Sequence, residues 1–134
     1  MLLVEDNETD VFVIREVLKR SGLNYQLRVA TDGQDALRYL DEMAADEKSP
    51  GPALVLLDLN VPKVAGLEVL RRLRSRPQFS RTRVVVVSSS DAESDRDAAR
   101  RLGAEAYFRK PQDLAAYMEL ANVIRDLLPG EGES

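Results

Sequence analysis

Five strand-length apolar runs recur along this chain, and a helix-like stretch separates each from the next. The runs are residues 2–5, Gln26 to Ala30, residues 53–58, Val84 to Val87 and residues 105–109. Val84 to Val87 is the most β-branched, and 53–58 is apolar on both faces, as a central parallel strand must be. The first helical stretch is 8–21, where Val11, Ile14 and Leu18 repeat at three-to-four spacing and Gly22 sits at the C-cap position. Asp32-Gly33 opens a second helix through Ala36, Leu37 and Leu40 to about Ala45. A third spans 65–75 and stops before Pro77, and a weakly apolar fourth covers about 92–102, ending at Gly103. The last spans 113–128, closed by Pro129-Gly130.

Regular strand–helix alternation predicts an α/β fold, a doubly wound five-stranded parallel sheet of flavodoxin-like type with five helices and order 2-1-3-4-5. At 134 residues with no repeat, the expectation is one domain over 1–128, followed by a polar, disordered tail at 129–134. Asp46 to Pro52 is a polar loop with two prolines and a glycine.

In such a sheet the carboxyl ends of the strands share one edge, where ligands bind. Here those ends carry Glu5-Asp6, Asp58, Ser88 and Lys110-Pro111. The set reads as a divalent-metal site around one exposed aspartate, Asp58. Two carboxylates about 4 Å apart repel by roughly 4 kcal/mol at an effective dielectric of 20, so three together need a cation. With no histidine and no cysteine in the chain, that cation must be held by oxygen, which favours Mg²⁺, Mn²⁺ or Ca²⁺. Asp58 could bind metal through one oxygen and attack phosphorus through the other, giving an aspartyl phosphate. Lys110 and Ser88 would meet the phosphoryl oxygens, and the small Ser89 leaves room and a free backbone N–H. Pro111 lends itself to a cis peptide that would aim the lysine.

These stretches resemble the receiver domain of bacterial two-component response regulators over essentially the whole chain. The matching motifs are Val4-Glu5-Asp6-Asn7, Leu56 to Pro62 with Gly66 eight residues past Asp58, Val87 to Ser90, and Tyr107 to Pro111. The intervals agree too, 30 residues from Asp58 to Ser88 and 22 from Ser88 to Lys110. The resemblance implies Asp58 as phosphoacceptor, Asp6 as direct Mg²⁺ ligand, Glu5 as its water-mediated partner and the Asn60 carbonyl as a further ligand. It also implies Lys110 as the functional lysine, Ser88 as switch hydroxyl, Tyr107 as switch aromatic and an output face of the fourth helix, fifth strand and fifth helix. Glu5 stands where Asp is commoner, and Ser88 where Thr is.

The 46–52 loop, Asp58 to Pro62 and Val85 to Asp91 are similar to single-domain regulators paired with bacterial phytochrome histidine kinases. With no histidine of its own, the chain needs an external phosphodonor. Nothing follows residue 134, so no DNA-binding effector is expected, and a net charge of −4 disfavours nucleic acid. No apolar run approaches a membrane span, so the expected compartment is the cytoplasm. Arg71, Arg72, Arg74, Arg76, Arg81 and Arg83 read as a solvated basic face rather than a docking patch.

In the last helix, Leu114, Tyr117, Met118, Ala121, Ile124 and Leu128 form one apolar arc beside Leu120, Val123 and Leu127. That is wider than one core contact needs, which favours a homodimer through this helix. Two alternatives to a phosphorylated switch stay open, an unphosphorylated dimeric adaptor and an Asp-nucleophile phosphohydrolase. The hydrolase normally carries an acid/base aspartate two residues after its nucleophile, and Asn60 stands there.

Overall fold

The computed structural model describes residues 1–128. The expected disordered tail at 129–134 lies outside them. Five parallel strands, β1 (Leu2–Val4), β2 (Arg28–Ala30), β3 (Leu54–Leu57), β4 (Arg83–Ser88) and β5 (Ala106–Arg109), form one sheet in the order β2-β1-β3-β4-β5. The helices are α1 (Glu8–Arg20), α2 (Gly33–Ala44), α3 (Gly66–Arg74), α4 (Glu93–Arg101), α5 (Leu114–Tyr117) and α6 (Glu119–Leu127). The expected fifth helix thus runs as two segments. Met118 between them keeps helical dihedrals (φ −62°, ψ −21°), so the course continues past the break.

Successive strand residues feed opposite cores, the two-residue period of a sheet buried on both faces. Leu2, Val4, Val55 and Leu57 pack with Leu40, Val69 and Leu70 under α2 and α3. Leu3, Leu54, Leu56, Val85 and Val87 pack with Ile14, Leu120 and Ile124 under α1 and α6. This second core takes Tyr117, Leu120, Ala121, Ile124 and Leu128 of the last helix, leaving Met118, Val123 and Leu127 half-buried.

A 3-10 turn at Pro77–Phe79 has no counterpart in the sequence expectations. Its buried Phe79 fills the space beside Gly51, where a Cβ would stand 2.5 Å from the ring. Gln78 Nε2 donates to the carbonyls of Asp46 and Ser49, and Thr82 Oγ1 to that of Pro52, at 2.7–2.9 Å. These bonds tie the polar 46–52 loop to the body of the fold. Most of the arginine stretch is internally paired: Arg71 and Arg72 with Glu68, Arg76 with Asp41, and Arg74 with Glu105 and the carbonyls of Gly103 and Thr82. Among the described residues no helix is long and apolar enough to cross a membrane.

Candidate functional site

Strand register sets the site. Val4 is abreast of Leu57 and Ser88 of Arg109, so the residues that follow leave the sheet along one edge. The ladder runs one step beyond the strands: Asp58 N–H donates to the Val4 carbonyl at 3.0 Å, and Lys110 N–H to that of Ser88 at 2.8 Å. Glu5, Asp6 and Asp58 thereby bring a carboxylate oxygen each to within 4.8 Å of one another. A cleft of about 990 Å³ opens over them, with Ser89 and Lys110 in its walls.

Asp58 is not the exposed side chain expected; it is 6% exposed. Its seat is the buried end of a central strand, and only the face toward the cleft reaches solvent. Each of its oxygens has a donor: Asn60 N–H reaches Oδ1 and Lys110 Nζ reaches Oδ2, both at 3.0 Å. Glu5 is held in the same manner. Asn7 N–H donates to Oε2 at 3.2 Å, while Lys110 Nζ lies 2.7 Å from Oε1 as an ion pair lacking hydrogen-bond alignment.

Burial drives the Glu5 carboxyl up to about 7; the Lys110 ammonium opposes this and the Asp58 charge adds to it. Burial alone would lower the Lys110 ammonium, but its carboxylate partners outweigh that and raise it. The Glu5 rise thus comes chiefly from burial, and the Lys110 rise from the carboxylates gathered round its ammonium.

The lysine reaches this position without the expected cis peptide; none occurs among the described residues. Its third partner is Asp10 Oδ2 at 2.9 Å, which the sequence reading did not single out. Asn7 puts it there. As N-cap of α1, Asn7 accepts from the N–H groups of Thr9 and Asp10, turning the first helical turn back over the strand ends. An acid in a first turn reads as ordinary dipole complementarity, which hides a side chain aimed elsewhere.

Ser88 is fully buried, its Oγ accepting from Ser90 N–H at 3.1 Å, and Ser89 rather than Ser88 lines the cleft. Tyr107 donates from its hydroxyl to the Ser90 carbonyl at 2.9 Å. The Arg96 guanidinium sits 4.5 Å from the Tyr107 ring centroid and pairs with Asp91, which also faces Arg109. Tyr107 is therefore covered on the α4 side as well as tied to the loop after β4.

The donor set is all oxygen, carboxylate-rich and open to water, which fits a hard divalent cation and excludes a thiolate or imidazole metal. Asp6, the exposed member of the three, is the carboxylate freest to bind it directly.

Comparison with known proteins agrees with this geometry. The family model for the response regulator receiver domain matches residues 1–122. The response regulator Rcp1 of Synechocystis sp. is 40% identical over 114 residues, 85% of this chain and 78% of that protein. The crystal structure of the phosphorylated cyanobacterial phytochrome response regulator RcpA superposes with a TM-score of 0.81 at 34% identity, covering 93% of this chain and 89% of that one. The Mn²⁺-bound form of Rcp1 gives 0.80 at 37% identity, covering 93% and 90%. By the family match over most of its length and by the relatives that share its fold, the chain belongs to the response regulator receiver domains, which are signalling proteins rather than turnover enzymes.

Proposed function

We propose that this protein is a phosphorylation-activated response regulator in which Asp58 accepts a phosphoryl group from a histidine kinase in trans, with Mg²⁺ required. One observation carries the proposal: a buried aspartate with an ammonium 3.0 Å away stands among carboxylates within 4.8 Å of each other at the floor of an open cleft. The relatives that are a phosphorylated phytochrome regulator and a Mn²⁺-bound regulator support both parts.

Asp6, Asp58 and the Asn60 carbonyl would hold the metal, with Glu5 behind a water. The metal supplies charge neutralisation for the phosphoryl oxygens. An Asp58 oxygen attacks phosphorus in line, the phosphorus–nitrogen bond of the donor breaks, and the imidazole keeps that electron pair. Lys110 and the Ser88 hydroxyl then meet the phosphoryl oxygens, and Tyr107 follows Ser88. Ser89 offers its backbone N–H from the cleft wall.

The kinase partner is proposed to be a bacteriophytochrome, on the strength of those relatives. Output is assigned to the face of α4, β5 and the last helix, and a homodimer through that helix would use the half-buried Met118, Val123 and Leu127. Light-scattering mass with and without phosphodonor tests the dimer.

The deciding experiment is intact mass after incubation with Mg²⁺ and acetyl phosphate, for wild type and Asp58→Asn. A labile adduct of one phosphoryl group on wild type alone is expected. No adduct while metal still binds would leave the adaptor as the function.

A further inference from the structure

Lys110 has three N–H donors and three carboxylate neighbours, Glu5 at 2.7 Å, Asp10 at 2.9 Å and Asp58 at 3.0 Å. The three are not equivalent. Glu5 and Asp58 belong to the close carboxylate group that fits a cation, whereas Asp10 stands outside it. A divalent cation among Glu5, Asp6 and Asp58 draws on the two partners nearest the metal and repels the ammonium. Asp10 is the one carboxylate left to hold the lysine.

A second unexplained group lies on α5, the helix packed against α1. Tyr117, on α5, is 4% exposed and packs its ring against Phe108, with centroids 5.8 Å apart. Its hydroxyl has no hydrogen-bond partner among the described residues. A buried hydroxyl without a partner is a cost that Phe at the same position would not carry. This one sits in the field of the cluster: burial first, then the Asp10 charge, resist its ionisation, with smaller effects of Lys110, Glu5 and Asp58. It is a spare buried donor on the helix that packs against α1, which carries Asp10.

We propose that Asp10 and Tyr117 are positioning residues for Lys110: Asp10 holds the ammonium off the metal cluster, and the Tyr117 hydroxyl takes its place on Asp10 when the lysine turns to a phosphoryl group on Asp58. The second half rests on the function proposed above; the first does not. Asp10 thus raises metal affinity without touching the metal, and Tyr117 acts only in the modified state.

The test has two arms. Mn²⁺ alone is titrated by electron paramagnetic resonance into wild type, Asp10→Asn and Asp10→Glu, and into Lys110→Met with and without Asp10→Asn. Groups that orient metal ligands change affinity by on the order of tenfold or more. A loss of that size is expected for Asp10→Asn, recovered in Asp10→Glu and clearly smaller in the Lys110→Met background. An equal loss in both backgrounds would show a general field effect and overturn the Asp10 half, as would no loss.

In the second arm, melting temperatures of wild type and Tyr117→Phe are read without ligand and with Mg²⁺ plus beryllofluoride, a phosphoryl mimic. Tyr117→Phe is expected to match or exceed wild type without ligand, and to gain less from beryllofluoride. Equal gains, or equal losses in both states, overturn the Tyr117 half. A wild type that takes up no beryllofluoride sinks the phosphoacceptor function and the Tyr117 half with it, while the Mn²⁺ arm still decides Asp10.

Discussion

Gly66 lies against the backbone of Asp58 so closely that a Cβ there would stand 2.4 Å from the Asp58 carbonyl oxygen and 2.6 Å from Leu59 Cα. The start of α3 therefore rests on the acceptor loop itself, and the glycine eight residues past the aspartate has a packing reason. Gly66→Ala is expected to cost about 1–3 kcal/mol, the range of an overpacked site, and to weaken Mn²⁺ binding, because the atoms that must yield carry Asp58. Gly22→Ala is the control: nothing lies within 4 Å of its Cβ, so only its positive φ of 71° is penalised. Urea denaturation with metal titration separates the two, and a Gly66→Ala protein with unaltered metal affinity would contradict the link to Asp58.

Glu5 sets a pH dependence. Its carboxyl, ordinarily near 4.5, is pushed up to about 7 by burial, against Lys110 and with help from Asp58. Between those values the folded, metal-free protein holds a proton that the unfolded chain has released. The contribution of Glu5 to stability is thus fully present below about 4.5 and lost as pH rises through about 7. Metal must displace that proton, so metal affinity is expected to climb over the same window. Calorimetry near pH 6 in buffers of different protonation enthalpy should show a proton released on binding, absent in Glu5→Gln. Affinity independent of pH across this range would rule out a protonated Glu5.

Asp6 is the exposed carboxylate of the three and makes no ion pair among the described residues. Asp6→Ala should leave the metal-free melting point nearly unchanged. If the proposed site binds Mg²⁺, wild type at about a hundredfold excess over the dissociation constant is expected to gain roughly 2.7 kcal/mol. The variant should lose most of that gain at the same concentration. A thermal scan with Mg²⁺ and then with chelator checks it, and an undiminished gain would move the metal elsewhere.

Arg96 covers the Tyr107 ring at 4.5 Å from the α4 side. Removing it with Arg96→Ala is expected to cost about 0.5–1 kcal/mol, the scale of an exposed cation–π contact. It should also loosen the Tyr107 ring, which would keep its hydroxyl bond to the Ser90 carbonyl and its packing on Leu59, Val86 and Ala99. Ring-resonance line shapes measured by nuclear magnetic resonance would report the change. Identical line shapes in both proteins would show that Arg96 does not restrain the ring.

The sheet order was legible because each central strand is an unbroken apolar run; β2, shorter than expected at Arg28–Ala30, starts late because Gln26 and Leu27 lie before the ladder. The acids and the lysine at the strand ends were legible for the same reason, since a parallel sheet sends them all to one edge. Asp10 and Tyr117 were not. One sits in a first helical turn and the other in an apolar arc, and both positions have ordinary explanations in sequence. Only the path of α1 out of its Asn7 cap brings Asp10 to Lys110, and only the packing of α5 on α1 leaves the Tyr117 hydroxyl buried without a partner among the described residues. The 3-10 turn at Pro77–Phe79 was hidden similarly: the proline marked a helix stop, but the buried Phe79 that holds the turn answers to Gly51, far away in sequence.

Among the described residues β5 pairs with β4 alone and has no neighbour on its other side. The lysine of the site hangs from this marginal strand, while two of the acids it binds, Glu5 and Asp58, stand at the ends of β1 and β3 toward the middle of the sheet. The anchored partners are thus at the centre and the movable one at the rim. Any ligand that pulls on the ammonium pulls on an edge strand, paired on one side alone among the described residues. The buried middle is in this way tied to a margin where Tyr107 is half-buried and Arg109 exposed.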